Sequence, residues 1–291
     1  MKFLLSIRYL IEFVLFKSIL FLLRLIPRKI SYIIFNNSFL LLGRISKYNK
    51  IAKKNCKIVF SDFDDMQINN IVNSSWKNLG KNIYELNYLR EIINNENTIK
   101  IKGIEKIEKI KKENTPVIFF SIHSSNWEIC VPLLDKHGLN TGAIYRHINN
   151  NFFDKYVFKK RTEALKTKNS FYTPKGKVSA KEILEGVINK KNIFLLVDQK
   201  DSAGTLINFF GKKVKTQIGF LKIARKYNLQ IIPMRNIRLP DNTFQITFEN
   251  PLDHNKNNIS DETKMLEINS IVERWIRDNP ENWFWQHKRF S

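Results

Sequence analysis

The chain has 291 residues, is 43% hydrophobic and carries a net charge of +22, enough apolar content for a sizeable core and enough length for one large domain or one domain with an appendage. Its two cysteines, Cys56 and Cys130, lie far apart with no CxxC or Cys/His spacing, which excludes a disulfide framework and a zinc site and fits a reducing compartment. The charge is concentrated: between Lys2 and Lys57 twelve Lys and Arg face the single acid Glu12, a net +11 that is half of the total.

No nucleic-acid motif accompanies this basic segment, so nucleic-acid binding ranks last. Anionic lipid headgroups or an acidic carrier protein fit better, because the segment adjoins an apolar N-terminus. Phe3 to Ile26 is mostly apolar, interrupted by Arg8, Glu12, Lys17 and Arg24. It has no uncharged run of about 18 residues and no small-residue cleavage site, so it is neither a clean transmembrane segment nor a removable signal peptide. Arg8 and Glu12 pair at i,i+4, and the remaining broad apolar surface suits a tilted span or a deeply embedded interfacial helix. Residues 1–26 are therefore expected as a membrane anchor, ended by Pro27 and followed by Arg28 and Lys29 on the cytoplasmic side. A buried core helix is the competing account.

Residues 27–98 read as a helical region packed on the domain that follows. Asp62, Asp64 and Asp65 resemble a metal cluster superficially, but no EF-hand glycine or closing Glu accompanies them, and a helix N-terminus explains them.

From Ile99 strands alternate with helices, which predicts an α/β domain over 99–291: a mixed, largely parallel sheet flanked by helices. The expected strands are Ile99 to Gly103, Val117 to Ile122, Thr141 to Arg146, Ile193 to Val197, Leu206 to Phe210, Gln230 to Arg235 and Phe244 to Phe248. The expected helices are Ile104 to Lys112, Asn126 to His137, Asn151 to Lys168, Lys177 to Asn189, Thr216 to Tyr227 and Glu262 to Asp278.

Chemistry gathers at the ends of these strands, the edge where open α/β sheets bind ligands. Val117 to Ile122 is short, uncharged and β-rich, hence a buried strand. It ends at His123, and Ser124, Ser125 and Asn126 are N-cap residues that start the next helix, placing Glu128 in its first turn. Residues five apart cannot meet on one helix, but a strand–turn–helix junction can bring them together. His123 would then take a proton from a hydroxyl, with Glu128 fixing its tautomer; by spacing alone, the two are more often unrelated. Cys130 sits one turn into an apolar helix and reads as a buried thiol rather than a nucleophile. With no nucleophile elbow and no phosphate-binding glycine loop, direct transfer to a hydroxyl needs fewer assumptions than a covalent intermediate. Arg146 at a strand end and Arg161 in the basic helix are candidates for a phosphate or oxyanion clamp, with solvated surface positions as the alternative. Asp198, also at a strand end, would position substrate, anchor an Arg or cap a turn. The aromatic tail Asn279 to Phe290 reads first as core packing and second as a substrate lining.

Several of these segments share a resemblance. His123-Ser-Ser-Asn-Trp-Glu128 resembles the His-x4-acid motif of glycerolipid acyltransferases. Its Asn-Trp-Glu form is similar to the late acyltransferases of lipid A biosynthesis, the lauroyl/myristoyl branch. Tyr145-Arg146, Asn150 to Arg161, Asp198-Gln199, Phe209-Phe210-Gly211 and Pro280 to Arg289 also match that branch, in order, from about residue 99 onward. The resemblance implies an acyltransferase of the inner membrane, facing the cytoplasm, that needs no metal or cofactor. Its donor would be an acyl carrier protein thioester and its acceptor a hydroxyl of a Kdo-lipid A precursor among membrane lipids. His123 would be the base, Glu128 its partner, and Arg146, Arg161 and Asp198 would lie in the substrate site. The family usually has Gly where this chain has Ser125. A related membrane acyltransferase acting on a lysophospholipid or other glycolipid and a non-catalytic membrane-binding relative are the competing accounts.

Overall fold

The computed structural model describes residues 2–252 and 259–290. The first third of the chain is helical. Helix α1 (Lys2–Leu23) is followed, across Pro27, by α2 (Arg28–Ile45), α3 (Lys47–Val59), α4 (Asp65–Glu85) and α5 (Leu89–Asn94). Local chemistry sets the boundaries. Ser46 accepts from the Tyr48 amide to start α3, and Asp64 and Gln67 form a reciprocal capping box on α4, the helix start expected of that acidic cluster. Gly43 lets α2 approach α4 closely, since a Cβ there would run into the Trp76 ring. No helix among the described residues is long and apolar enough to cross a membrane.

The remainder is an α/β layer, mostly parallel, flanked by helices. Its strands are β1 (Ile99–Lys102), β2 (Ile118–Ser121), β3 (Thr141–Tyr145), β4 (Phe171–Pro174), β5 (Asn192–Leu196), β6 (Thr205–Phe209), β7 (Lys212–Thr216), β8 (Ile231–Arg238) and β9 (Phe244–Phe248). Its helices are α6 (Ile104–Glu113), α7 (Cys130–Lys136), α8 (Asn151–Glu163), α9 (Lys177–Ile188), α10 (Gly219–Tyr227) and α11 (Asp261–Asp278). Among the described residues seven strands form the sheet in the order β1-β9-β8-β2-β5-β3-β4, and of these strands only β8 and β9 pair antiparallel.

β2 lies at the centre between β5 and β8. Its residues alternate between two cores: Ile118 and Phe120 join one cluster, Phe119 the other. Both faces are covered, and this is why the strand reads as an unbroken apolar run.

Two strands escape sequence reading. β4 follows α8, which stops at Glu163 rather than continuing to Lys168. β7 hides in the lysine-rich Lys212 to Thr216, where Val214 and Thr216 are buried and the lysines exposed. It pairs with β6 as a separate hairpin outside the main sheet, so α10 begins only at Gly219.

Candidate active site

The register of the sheet assembles the site. Ser121 of β2 lies opposite Leu196 of β5, so two residues further along each chain bring His123 opposite Asp198. There His123 Nδ1 stands 2.8 Å from Asp198 Oδ1, and the His123 amide donates to Asp198 Oδ2 at 3.1 Å. Trp283 Nε1–H donates to the same Oδ2 at 2.8 Å. Asp198 and Trp283 are both buried. Burial alone pushes the Asp198 carboxyl up; the charge and hydrogen bond of His123, with help from Trp283, reverse this and hold it well below the usual carboxylate range. An ionised Asp198 fixes the proton on Nδ1 and leaves Nε2 as the basic nitrogen. That nitrogen lies 3.1 Å from the Gln199 side-chain amide, in an imidazole that keeps 16% of its surface exposed.

The turn after β2 is held from both sides. Ser125 adopts a left-handed φ of 55°, its amide donating to the Asn282 carbonyl at 2.9 Å. The Phe284 amide donates to the His123 carbonyl at 2.9 Å, and Ser124 bridges to Trp283. The aromatic tail is therefore strapped along the catalytic turn. Asn126 caps the short 3-10 turn Trp127–Ile129 by accepting from the Glu128 amide at 3.2 Å, and α7 continues from it.

Glu128 does not reach His123. Its carboxylate takes both arms of the Arg161 fork, Nε at 2.6 Å and Nη2 at 2.7 Å, and the Trp127 indole N–H at 3.0 Å. The reason is geometric: a planar guanidinium satisfies both carboxylate oxygens at once, and α8 presents Arg161 to this side of the turn. Burial pushes the Glu128 carboxyl up, but the charge and hydrogen bonds of Arg161 hold it below the ordinary range. Arg161 also lies between the Tyr145 and Tyr172 rings, 5.7 and 5.8 Å from their centroids. It is thus committed to Glu128 rather than free to clamp an anion, and Asp198 anchors a histidine rather than an arginine. Arg146, just beyond β3, is exposed and has no ion pair or side-chain hydrogen bond among the described residues. Burial pushes the Cys130 thiol up to about 12, which removes it as a thiolate nucleophile.

Sequence reading also missed a buried support beneath the turn. Glu85 on α4 pairs with Arg238 on β8 and accepts from Asn126 Nδ2 at 2.8 Å. Asn78 and Asn82 accept from Arg238 Nε and Nη2 at 2.9 and 2.8 Å, and both donate to the Ser125 carbonyl. Asn236 Nδ2 donates to the Asn126 carbonyl at 2.7 Å. The available signal was the polar stripe Asn78, Asn82, Glu85 at i, i+4, i+7 on α4.

Residues 1–291 match the family model for bacterial lipid A biosynthesis acyltransferases. The chain belongs to that family and is an acyltransferase. A solved structure to which it is similar is the 1-acyl-sn-glycerophosphate (LPA) acyltransferase PlsC from Thermotoga maritima, 15% identical, covering 88% of this chain and 99% of that one with a TM-score of 0.41. No curated protein matches the chain.

Proposed function

We propose that this member of the lipid A acyltransferase family moves a fatty acyl chain from an acyl carrier protein thioester to a hydroxyl of a Kdo-lipid A precursor, with His123 as general base. One observation carries the mechanism: the Trp283–Asp198–His123 chain orients the imidazole and leaves Nε2 outside it, on a ring that keeps 16% of its surface exposed. The Gln199 amide, 3.1 Å from that nitrogen, stands where the acceptor hydroxyl would donate. The hydroxyl gives its proton to Nε2 as its oxygen attacks the thioester carbonyl. The tetrahedral intermediate then expels the thiolate, which takes the proton back from the imidazolium. Asp198 stays ionised throughout and stabilises the imidazolium. Glu128, paired with Arg161, shapes the turn and adds a more distant negative charge. Arg146 is left available for a lipid phosphate. Exposed apolar residues along α1, among them Phe3, Leu4, Leu15 and Leu22, support seating the N-terminus in the membrane interface, on the cytoplasmic face of the inner membrane.

The test is a transfer assay with purified full-length protein, labelled acyl carrier protein, and Kdo-lipid A precursor or lysophospholipid as competing acceptors. Labelled precursor is expected, and His123→Ala lowers kcat by about 10²- to 10⁴-fold with the fold intact. Transfer to lysophospholipid alone overturns the acceptor assignment, and wild-type turnover in His123→Ala overturns the mechanism.

A further inference from the structure

Helix α2 has two faces that do not match an ordinary surface helix. Phe35, Asn36, Leu40 and Gly43 are buried on one side. On the other, Ile30, Ile33, Ile34, Leu41, Leu42 and Ile45 are between 45% and 85% exposed. Their spacing places them on one side of the helix, as two apolar patches, Ile30 to Ile34 and Leu41 to Ile45, separated by the exposed Asn37 and Ser38, whose side chains turn back onto the Ile33 and Ile34 carbonyls. Exposed apolar patches of this kind mark an interaction surface rather than a solvated face.

Beside the second patch, where α2 turns into α3 against α4, a surface pocket of about 450 Å³ is lined by Arg44, Asn49, Lys53, Asn69 and Asn73. Among the described residues no carboxylate lines it. The Arg44 Nε donates to Asn73 Oδ1 at 3.1 Å, which fixes the guanidinium while leaving its two amino groups uncommitted. Trp76 Nε1–H donates to Asn49 Oδ1 at 3.0 Å, bracing the wall. Among the described residues neither Arg44 nor Lys53 has an acidic partner, and the Asn69 and Asn73 side chains add further amide donors. Two cations and two side-chain amides in an acid-free pocket recognise a phosphate oxyanion.

We propose that this pocket binds the phosphate of an anionic phospholipid, with the exposed apolar side of α2 lying against its hydrocarbon. Pocket and apolar side meet at Arg44 and Ile45, so one amphipathic molecule satisfies both. The site is separate from the acyl-transfer centre: Asn73 lines the pocket, whereas Asn78 and Asn82, which hold the Ser125 carbonyl, lie roughly 140° and 180° around α4 from it. It goes beyond the proposed reaction, and its occupancy is read without turnover.

The experiment is co-sedimentation of the full-length protein with vesicles of phosphatidylcholine alone or with added phosphatidylglycerol. Wild type is expected to favour phosphatidylglycerol. Arg44→Gln with Lys53→Gln should weaken that binding about thirty-fold, the effect of two cations at a lipid surface, and leave binding to phosphatidylcholine unchanged. Lys50→Gln with Lys54→Gln removes the same charge from exposed positions of α3 outside the pocket, and should cost distinctly less. Equal losses in the two double variants overturn the site in favour of diffuse attraction. Stabilisation of lipid-free wild type, but not of the pocket variant, by inorganic phosphate at matched ionic strength reassigns the pocket to free phosphate. A pocket variant that binds both vesicles normally but takes acyl groups slowly from the carrier protein assigns it to an acidic protein surface, and the lipid assignment falls.

Discussion

Two buried carboxylates support the same turn, one on each side, and they are used differently. Glu85 meets Arg238 with every position filled: both oxygens take guanidinium nitrogens, and Tyr32 and Asn126 complete the shell. The remaining Arg238 donors go to Asn78, Asn82 and the Tyr32 hydroxyl. Asp198 accepts three hydrogen bonds, but its partner is an imidazole whose other nitrogen faces only the Gln199 side-chain amide. A guanidinium stays charged and has no acceptor; an imidazole can take and return a proton. Saturation makes the first pair a strut, and the single open nitrogen makes the second a candidate base.

Changes to the two pairs should separate stability from rate. Arg238→Met leaves Glu85 buried without its cation and should lower unfolding free energy by about 3–5 kcal/mol, read from the urea midpoint. Asp198→Asn keeps the shape and hydrogen-bonding capacity but permits the wrong tautomer of His123. It should lower kcat about a thousandfold, roughly 4 kcal/mol of barrier, while KM and the urea midpoint move little. If Asp198→Asn turned over normally, or if Arg238→Met left stability alone, the distinction between strut and base would collapse.

The contrast also explains what sequence could and could not reveal. His123 and Asp198 were legible as polar residues ending apolar strands. That they face each other was not, because it depends on the register of β2 against β5 across 75 residues of chain. Glu128 was legible as a neighbour of His123, yet Arg161, brought in by α8, takes its carboxylate instead. The Glu85–Arg238 pair spans 153 residues and joins a helix to a strand, so only a polar stripe on α4 hinted at it. β7 was lost because its lysines alternate with Val214 and Thr216 in a segment whose composition reads as loop. Trp283 looked like ordinary core, since nothing in a run of aromatics distinguishes the indole that will find a carboxylate.

A pH scan probes the same surroundings at smaller amplitude. Burial pushes the His287 imidazole, packed against Trp283, down to about 3. A histidine ordinarily titrates near 6.5 when unfolded, so between about pH 6.5 and 3 the unfolded chain binds a proton that the folded one refuses. Stability from this group is full above about 6.5 and falls as pH drops through that window. Between pH 6.5 and 4.5 most carboxylates remain ionised, so His287→Gln should flatten the fall in urea midpoint there. An unchanged slope would place the pH sensitivity elsewhere, with the half-buried His137, also lowered by burial, as the first alternative.

The smallest expected effect is the most local. Ser125 holds a left-handed φ of 55° inside the turn, its backbone amide and carbonyl are bonded, and its hydroxyl is buried without a partner among the described residues. The conformation costs an L-residue roughly 1–2 kcal/mol, and the orphaned hydroxyl adds a desolvation penalty of similar size. Glycine removes both but gives back roughly 0.5–1 kcal/mol in unfolded-chain entropy. Ser125→Gly should therefore stabilise the protein by about 1–3 kcal/mol, measured by urea unfolding. Because the amide to Asn282 and the carbonyl to Asn78 survive the change, His123 stays in place and kcat should stay within about threefold. A large loss of rate with the gain in stability would give the hydroxyl a substrate-facing role that its burial argues against.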